Sequence, residues 1–300
     1  MSDSAAPGSG ERLGVGAIVG DAFGLMFKNF LGMLVLFLFP IIVMVVLVLI
    51  AGEFLEEAVS ALMFGAGAGD VSMTSVYLGL AIIYFVIMVL FCFFWAGGLK
   101  LIFDTKSSGR GRIGTAFGAG LSSCVRLALM STVLLIPFAI LYYLMVFRFL
   151  APFAVEAAFT GGSMAVPIVL GILVLVFFMY LGAIFSPFTG TVVVEKMWLN
   201  SFGRSVWLSK DYRWPIVGIL AIMMVFSILV NLIVNALNEN VLIPAAMRGD
   251  SLTPILLGIF FLLLVLVLYG VFIAAYALIY ARLREIKEGT TYESISEIFS

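Results

Sequence analysis

The chain contains no histidine and little charge. Lys and Arg together number 16 and Asp and Glu 17 among its 300 residues. The absence of histidine removes the commonest general base and the commonest metal ligand. Charged residues make up 11% of the chain, against about 25% in a soluble globular domain. Cysteine is almost missing too. Cys92 and Cys124 each lie in or beside an apolar run and read as small packing groups, not as a disulfide or a metal site. The formal net charge of −1 gives no overall basic character for holding nucleic acid. Gly14-Val15-Gly16 with Gly20 has the wrong spacing for a dinucleotide fingerprint and no βαβ setting around it. These absences leave no catalytic, cofactor-binding or metal-binding set, and the chain reads as non-enzymatic.

What the chain has is apolar length. Hydrophobic residues are 64% of it and its mean hydropathy is +1.24. Charge-free intervals run over 29–52, 71–99, 127–147, 157–194, 214–238 and 251–281. Each exceeds the ~20 residues that a helix needs to cross the hydrocarbon core. Backbone groups in lipid must bond within their own segment, so such runs are helices. The expected fold is an all-α membrane protein: a six-transmembrane-helix bundle with spans at 30–51, 76–99, 127–148, 167–190, 215–237 and 254–281. Pro167, Pro215 and Pro254 mark helix starts. Ser251 or Thr253 is the expected cap of the sixth span. Pro40, Pro137 and Pro187 predict kinks.

The cationic residues are distributed unevenly. Fourteen of the 16 fall on the side that holds the N-terminus, 100–126, 191–214 and the C-terminus, and only Arg148 and Arg248 fall on the other. The positive-inside rule then predicts that both termini are cytoplasmic. The opposite loops are acidic (Glu53, Glu56, Glu57, Asp70) or glycine-rich (65–69). Residues 1–12 read as a disordered cytosolic tail, 13–289 as a single membrane domain and 290–300 as a second tail.

A short pattern recurs ahead of alternate spans. Asp21-Ala22-Phe23-Gly24 precedes the first, Thr115-Ala116-Phe117-Gly118 the third and Asn200-Ser201-Phe202-Gly203 the fifth. Each continues into a stretch with a cation: Lys28, Arg126 or Lys210. This predicts three amphipathic interfacial helices and a threefold internal repeat with units at about 13–103, 104–190 and 191–289. Phe23, Phe117 and Phe202 are the residues expected to hold these helices at the interface. The glycine stripe Gly16, Gly20, Gly24 is read either as a face for close backbone approach or as a loosening of a short helix.

The third copy, Val192–Trp214, is charged and aromatic together, which suits a membrane–water boundary. Within it Glu195, Arg204 and Trp214 are the candidate structural or interfacial residues. Glu195 reads either as a salt bridge to Arg204 that holds the third helix down or as a functional carboxylate, although it has no partner acid, histidine or nucleophile for catalysis. Lys100, Lys106, Arg110 and Arg112 either set topology or attract anionic headgroups. In the fifth span Ser227, Asn231 and Asn235 share one helical face by their i, i+4, i+8 spacing. They read as interhelical glue, or as a polar path in a channel or carrier for a small or amphipathic solute.

The run VVVEKMWLNSFGRSVWLSKDYRW and the ending YARLREIKEG resemble two related groups. These are the YciC-type six-helix bacterial membrane proteins and the membrane domain attached to some glycerophosphodiester phosphodiesterases. The likeness covers about 190–289, and Asp211 stands where a glycine often follows the lysine. It implies a multi-pass protein of the bacterial inner membrane with no settled activity. No cofactor is expected, and the expected partners are membrane lipids, other membrane proteins or a second copy of the chain.

Overall fold

The computed structural model describes residues 13–64, 73–160 and 163–289, and every element in these segments is helical. Both tails, the glycine-rich stretch 65–69 and Asp70 lie outside the described residues, as do the side chains of Glu53, Glu56 and Glu57. Helix α1 (Val15–Lys28) lies ahead of α2 (Phe30–Phe64), α3 (Met73–Ser108) and α4 (Ile113–Tyr143). A π-helical stretch, Leu144–Leu150, leads into α5 (Ala151–Thr160), followed by α6 (Ala165–Phe185), α7 (Phe188–Val193) and α8 (Asn200–Ser209). Then come α9 (Arg213–Leu237), a second π-helical stretch Asn238–Leu242, α10 (Ile243–Met247) and α11 (Leu252–Glu288).

Six of the described helical runs are long and apolar enough to cross a membrane. The helices overrun the expected spans. Residues expected as loops at 52–64, 151–160 and 238–247 are helical, and where Pro152 and Pro244 fall among them the helix changes register instead of ending. The two π-helical stretches have a common local cause. Each ends two residues before a proline, Pro152 or Pro244. A proline offers no N–H and crowds the carbonyl four residues back, and the wider register makes room for it.

The other prolines divide into two groups. Pro167, Pro215 and Pro254 occupy the third position of α6, α9 and α11, where an N–H would have no partner in any case. Pro40 and Pro137 lie inside α2 and α4, whose helices run through them without interruption. At Pro187 the helix breaks, separating α6 from α7. The expected cap of α11 needs correction. Neither Ser251 nor Thr253 caps the backbone. Asp250 Oδ1 instead accepts from the N–H of Leu252 (2.9 Å) and Thr253 (3.4 Å), and its Oδ2 takes the Thr253 hydroxyl (2.5 Å).

The interior is concentrated at the basic end of the bundle, where α1 and the end of α11 lie. Buried residues there include Met26, Met33, Phe94, Phe103, Leu127, Val192, Leu208 and Ile216. From Gly270 to Arg284 α11 is buried on almost every side. Its own first half is largely exposed apolar surface, including Leu252, Ile255, Leu256 and Ile259. Such surface is stable only against lipid. Glycine permits the closest approaches. A Cβ on Gly270 would lie 2.2 Å from Met26 Sδ, and one on Gly190 would lie 2.3 Å from the Tyr280 ring. The stripe Gly16, Gly20, Gly24 plays no such part, since a Cβ at any of the three meets nothing within 4 Å.

Candidate interfacial site

Helix α7 begins at a break that must be repaired. Pro187 gives no N–H to the carbonyl of Ala183, and that carbonyl accepts the Ser186 hydroxyl at 3.0 Å. The next carbonyl, of Ile184, accepts two hydroxyls from α8, Ser205 at 3.1 Å and Ser209 at 3.0 Å. A buried carbonyl without a donor is costly in a membrane, so α8 is fixed by the acceptors that the break exposes. Ser205 and Ser209 are fully buried. Their spacing of four was visible in the sequence, but their common partner was not.

Glu195 follows α7 and faces both α8 and α11. Its carboxylate accepts from Arg204 Nε at 3.0 and 3.3 Å, from Arg204 Nη2 at 3.3 Å and from the Tyr280 hydroxyl at 2.8 Å. Arg284 Nε lies 3.9 Å away and pairs at 2.9 Å with Glu288, which also binds Arg204 Nη2. Arg284 Nη1 donates to the Tyr280 oxygen at 3.4 Å. Tyr280, Arg284 and Glu288 are spaced by four and so share one face of α11. Two carboxylates, two guanidiniums and one phenol therefore close on one another with no net charge. Burial alone would lower the Arg204 pKa, but hydrogen bonds and charge from Glu195, and then Glu288, hold it above the ordinary arginine range. Sequence reasoning singled out Glu195 and Arg204 but missed Tyr280, Arg284 and Glu288.

The rest of the segment is aromatic surface. Trp198, Trp207 and Trp214 are 53%, 45% and 66% exposed. Trp207 lies between Arg204 (5.0 Å from guanidinium to ring centre) and Lys287 (5.2 Å), a cation–π arrangement. Lys287 also donates to the Trp207 carbonyl at 3.0 Å. Trp214 packs on Tyr180 with ring centres 5.6 Å apart. Lys196 and Asp211 have φ of 53° and 76°, the left-handed turns that bracket α8. A non-glycine residue adopts that region at some cost, so Asp211 bends the chain as glycine would.

The three recurrent phenylalanines all reach rings on other elements. Phe23 of α1 meets Phe226 of α9 edge-on at 5.0 Å. Phe117 of α4 meets Phe39 of α2 and Phe93 of α3, each at 5.0 Å. Phe202 of α8 stacks on Phe188 of α7 at 5.2 Å and reaches Phe185 of α6 at 6.5 Å. The segments that carry them differ. α1 ends at Asn29, whose side-chain amide donates back to the Leu25 carbonyl at 2.9 Å, and α8 ends at Lys210. The expected second interfacial helix has no separate existence, because α4 runs from Ile113 through Thr115–Gly118 into the span. Residues 119–126 contain neither an Asn29-type stop nor a left-handed turn.

The other predicted residues are placed as follows. Lys100 is buried and pairs with Asp104 at 2.8 Å, and Asp104 accepts the Thr115 hydroxyl at 2.9 Å. Lys106 pairs with Asp21 at 2.7 Å. Lys100 is thus buried and paired within α3, on the aspartate that ties α3 to α4, and is not a surface charge for headgroups. Asn231 and Asn235 are exposed, Ser227 is half-buried, and the Asn231 amide donates to the Ser227 carbonyl of its own helix at 2.9 Å. The bond of Asn231 is thus within α9 and not to a neighbouring helix.

Fold and site together define a multi-pass α-helical membrane protein. Comparison with protein families, curated proteins and solved structures finds no match to this chain.

Proposed function

We propose that the chain is a non-enzymatic protein of the bacterial inner membrane, with both termini cytoplasmic, that acts through lipid or protein partners as a scaffold or in envelope maintenance. One observation carries this reading. Glu195 and Arg204 of Val192–Trp214 are committed to each other and to Tyr280 and Glu288 of α11, while the tryptophans of the segment are left exposed. A paired carboxylate with a satisfied guanidinium has no spare capacity for acid–base work, whereas exposed tryptophan beside cations suits a headgroup layer.

The ring contacts support a threefold repeat. The phenylalanine of the second unit packs on rings of the first, that of the third on rings of the second, and that of the first on a ring of the third. Each unit is thereby docked on its neighbour and the series closes on itself. In this reading α1, α8 and the start of α4 are the interfacial, amphipathic segments of the three units. The cation bias and the likeness to YciC-type proteins support the orientation and the location.

Native mass spectrometry of the purified full chain tests the reading by identifying retained molecules. Reproducible retention of membrane lipids or a second protein is expected. A chain that keeps neither and conducts a solute across vesicles would overturn it in favour of a channel or carrier.

A further inference from the structure

Not every polar group at the basic end is satisfied. A cavity of about 310 Å³ lies between α3, α4, the α6–α7 break and α11. Its wall is largely apolar, with Leu127, Leu134, Phe138 and Phe185 among the lining side chains. Its volume is in the range of about 300–1,000 Å³ typical of ligand sites. Two polar atoms on its lining residues, Trp95 Nε1 and Thr189 Oγ1, are buried and have no hydrogen-bond partner in the protein. Buried polar groups are nearly always paired, and two exceptions on one cavity point to a ligand. An indole N–H only donates, so the ligand must bring an acceptor oxygen.

The position of these donors narrows the class. Trp95 is five residues before Lys100, ~7.5 Å along the helix axis, and Thr189 precedes Glu195 by six residues. Both therefore lie just inside the first charged residues, at the depth where a lipid changes from chain to ester. One residue before the cavity-lining Leu127 stands Arg126. Its Nε and Nη1 are buried without an acceptor, and its guanidinium lies 5.7 Å from the Trp198 ring centre. A guanidinium with unused N–H groups fits a phosphate. Cation, donors and apolar wall thus follow one another in the order that phosphate, ester and acyl chain require.

We propose that this cavity is a glycerophospholipid site. One acyl chain fills it, an ester carbonyl accepts from Trp95 and Thr189, and the phosphate rests on Arg126. The proposal rests on the reading above that lipids are partners and names the place where one is held.

The test uses the full chain purified in mild detergent, with Trp95→Phe, Thr189→Val and Arg126→Gln, which keep size and remove the donor or the charge. Native mass spectrometry reads phospholipid occupancy. Each donor removed should lower occupancy about tenfold, while Leu49→Ala, in the separate α2–α3 groove, should leave it unchanged. As a second measurement, phospholipid brominated on the acyl chain should quench the Trp95 emission, taken as the difference between wild type and Trp95→Phe. Phospholipid retained equally by all the variants, with Trp95 unquenched, overturns the site while leaving lipid partnership standing. A bound free fatty acid in place of phospholipid also overturns it. Absence of any retained lipid from the wild type sinks both the site and lipid partnership.

Discussion

Replacing Glu195 by alanine removes the acceptor shared by Arg204 and Tyr280. The Glu195 side chain is 10% exposed and that of Arg204 23%, so the ion pair is only partly screened by solvent. Removing one partner of a buried pair costs about 3–5 kcal/mol. Arg204 keeps Glu288 and retains some solvent access, which places the expected loss at the lower end, about 3 kcal/mol. Tyr280 then donates to nothing in the buried network, although Arg284 still donates to its oxygen. Glu195→Gln keeps one oxygen for Tyr280 but loses the charge and sets an NH2 donor where Arg204 had an acceptor, for an expected loss of about 1.5–3 kcal/mol. Reversible unfolding of the purified chain by SDS in mixed micelles measures both values. A cycle with Arg204→Ala should give a coupling of at least about 0.5 kcal/mol. The reasoning fails if both variants lie within about 0.5 kcal/mol of wild type, the range of ordinary surface substitutions, or if the two sites add without coupling.

Gly190→Ala would drive a methyl into the Tyr280 ring, and the same unfolding assay should record a loss of about 1–3 kcal/mol from overpacking. Stability equal to wild type would contradict that contact. The Phe23–Phe226 pair should show a coupling of about 0.5–1.5 kcal/mol in a double-alanine cycle, and zero coupling would remove the docking of the first unit on the third. Asn231→Leu with Asn235→Leu should leave folding and assembly unchanged, because both side chains are exposed and Asn231 bonds only within its own helix; destabilisation would show that they hold a neighbour. Cysteine placed at residue 67 should react with an impermeant reagent from outside the cell and cysteine at residue 108 should not, and the reverse pattern would invert the proposed orientation.

Three features at the basic end of the bundle show how far local sequence reaches. Glu195 and Arg204 are nine residues apart on a short turn and helix, and proximity in the chain made their pairing legible. Tyr280, Arg284 and Glu288 lie more than 80 residues further on in α11, and no local pattern links them to Glu195. The unpaired donors of Trp95 and Thr189 belong to the same class. Each is an ordinary residue in an apolar run until the helices are assembled.

The sequence by itself determined the number of spans, their approximate limits and the sharing of one side by the cations. These are local properties, because lipid demands an apolar run about 20 residues long and charges cannot cross it. The tertiary structure alone decided which faces meet. In water the buried face of a helix is the apolar one, and periodicity reveals it. Here the membrane-spanning parts of α2, α3 and α11 are apolar on every side, so their lipid-facing and protein-facing residues are chemically alike. Packing at Gly270 and Gly190, the serines that answer the Pro187 break, and the closed Glu195 network set the arrangement instead. Each depends on shape or on a distant partner, and neither leaves a repeat in the sequence.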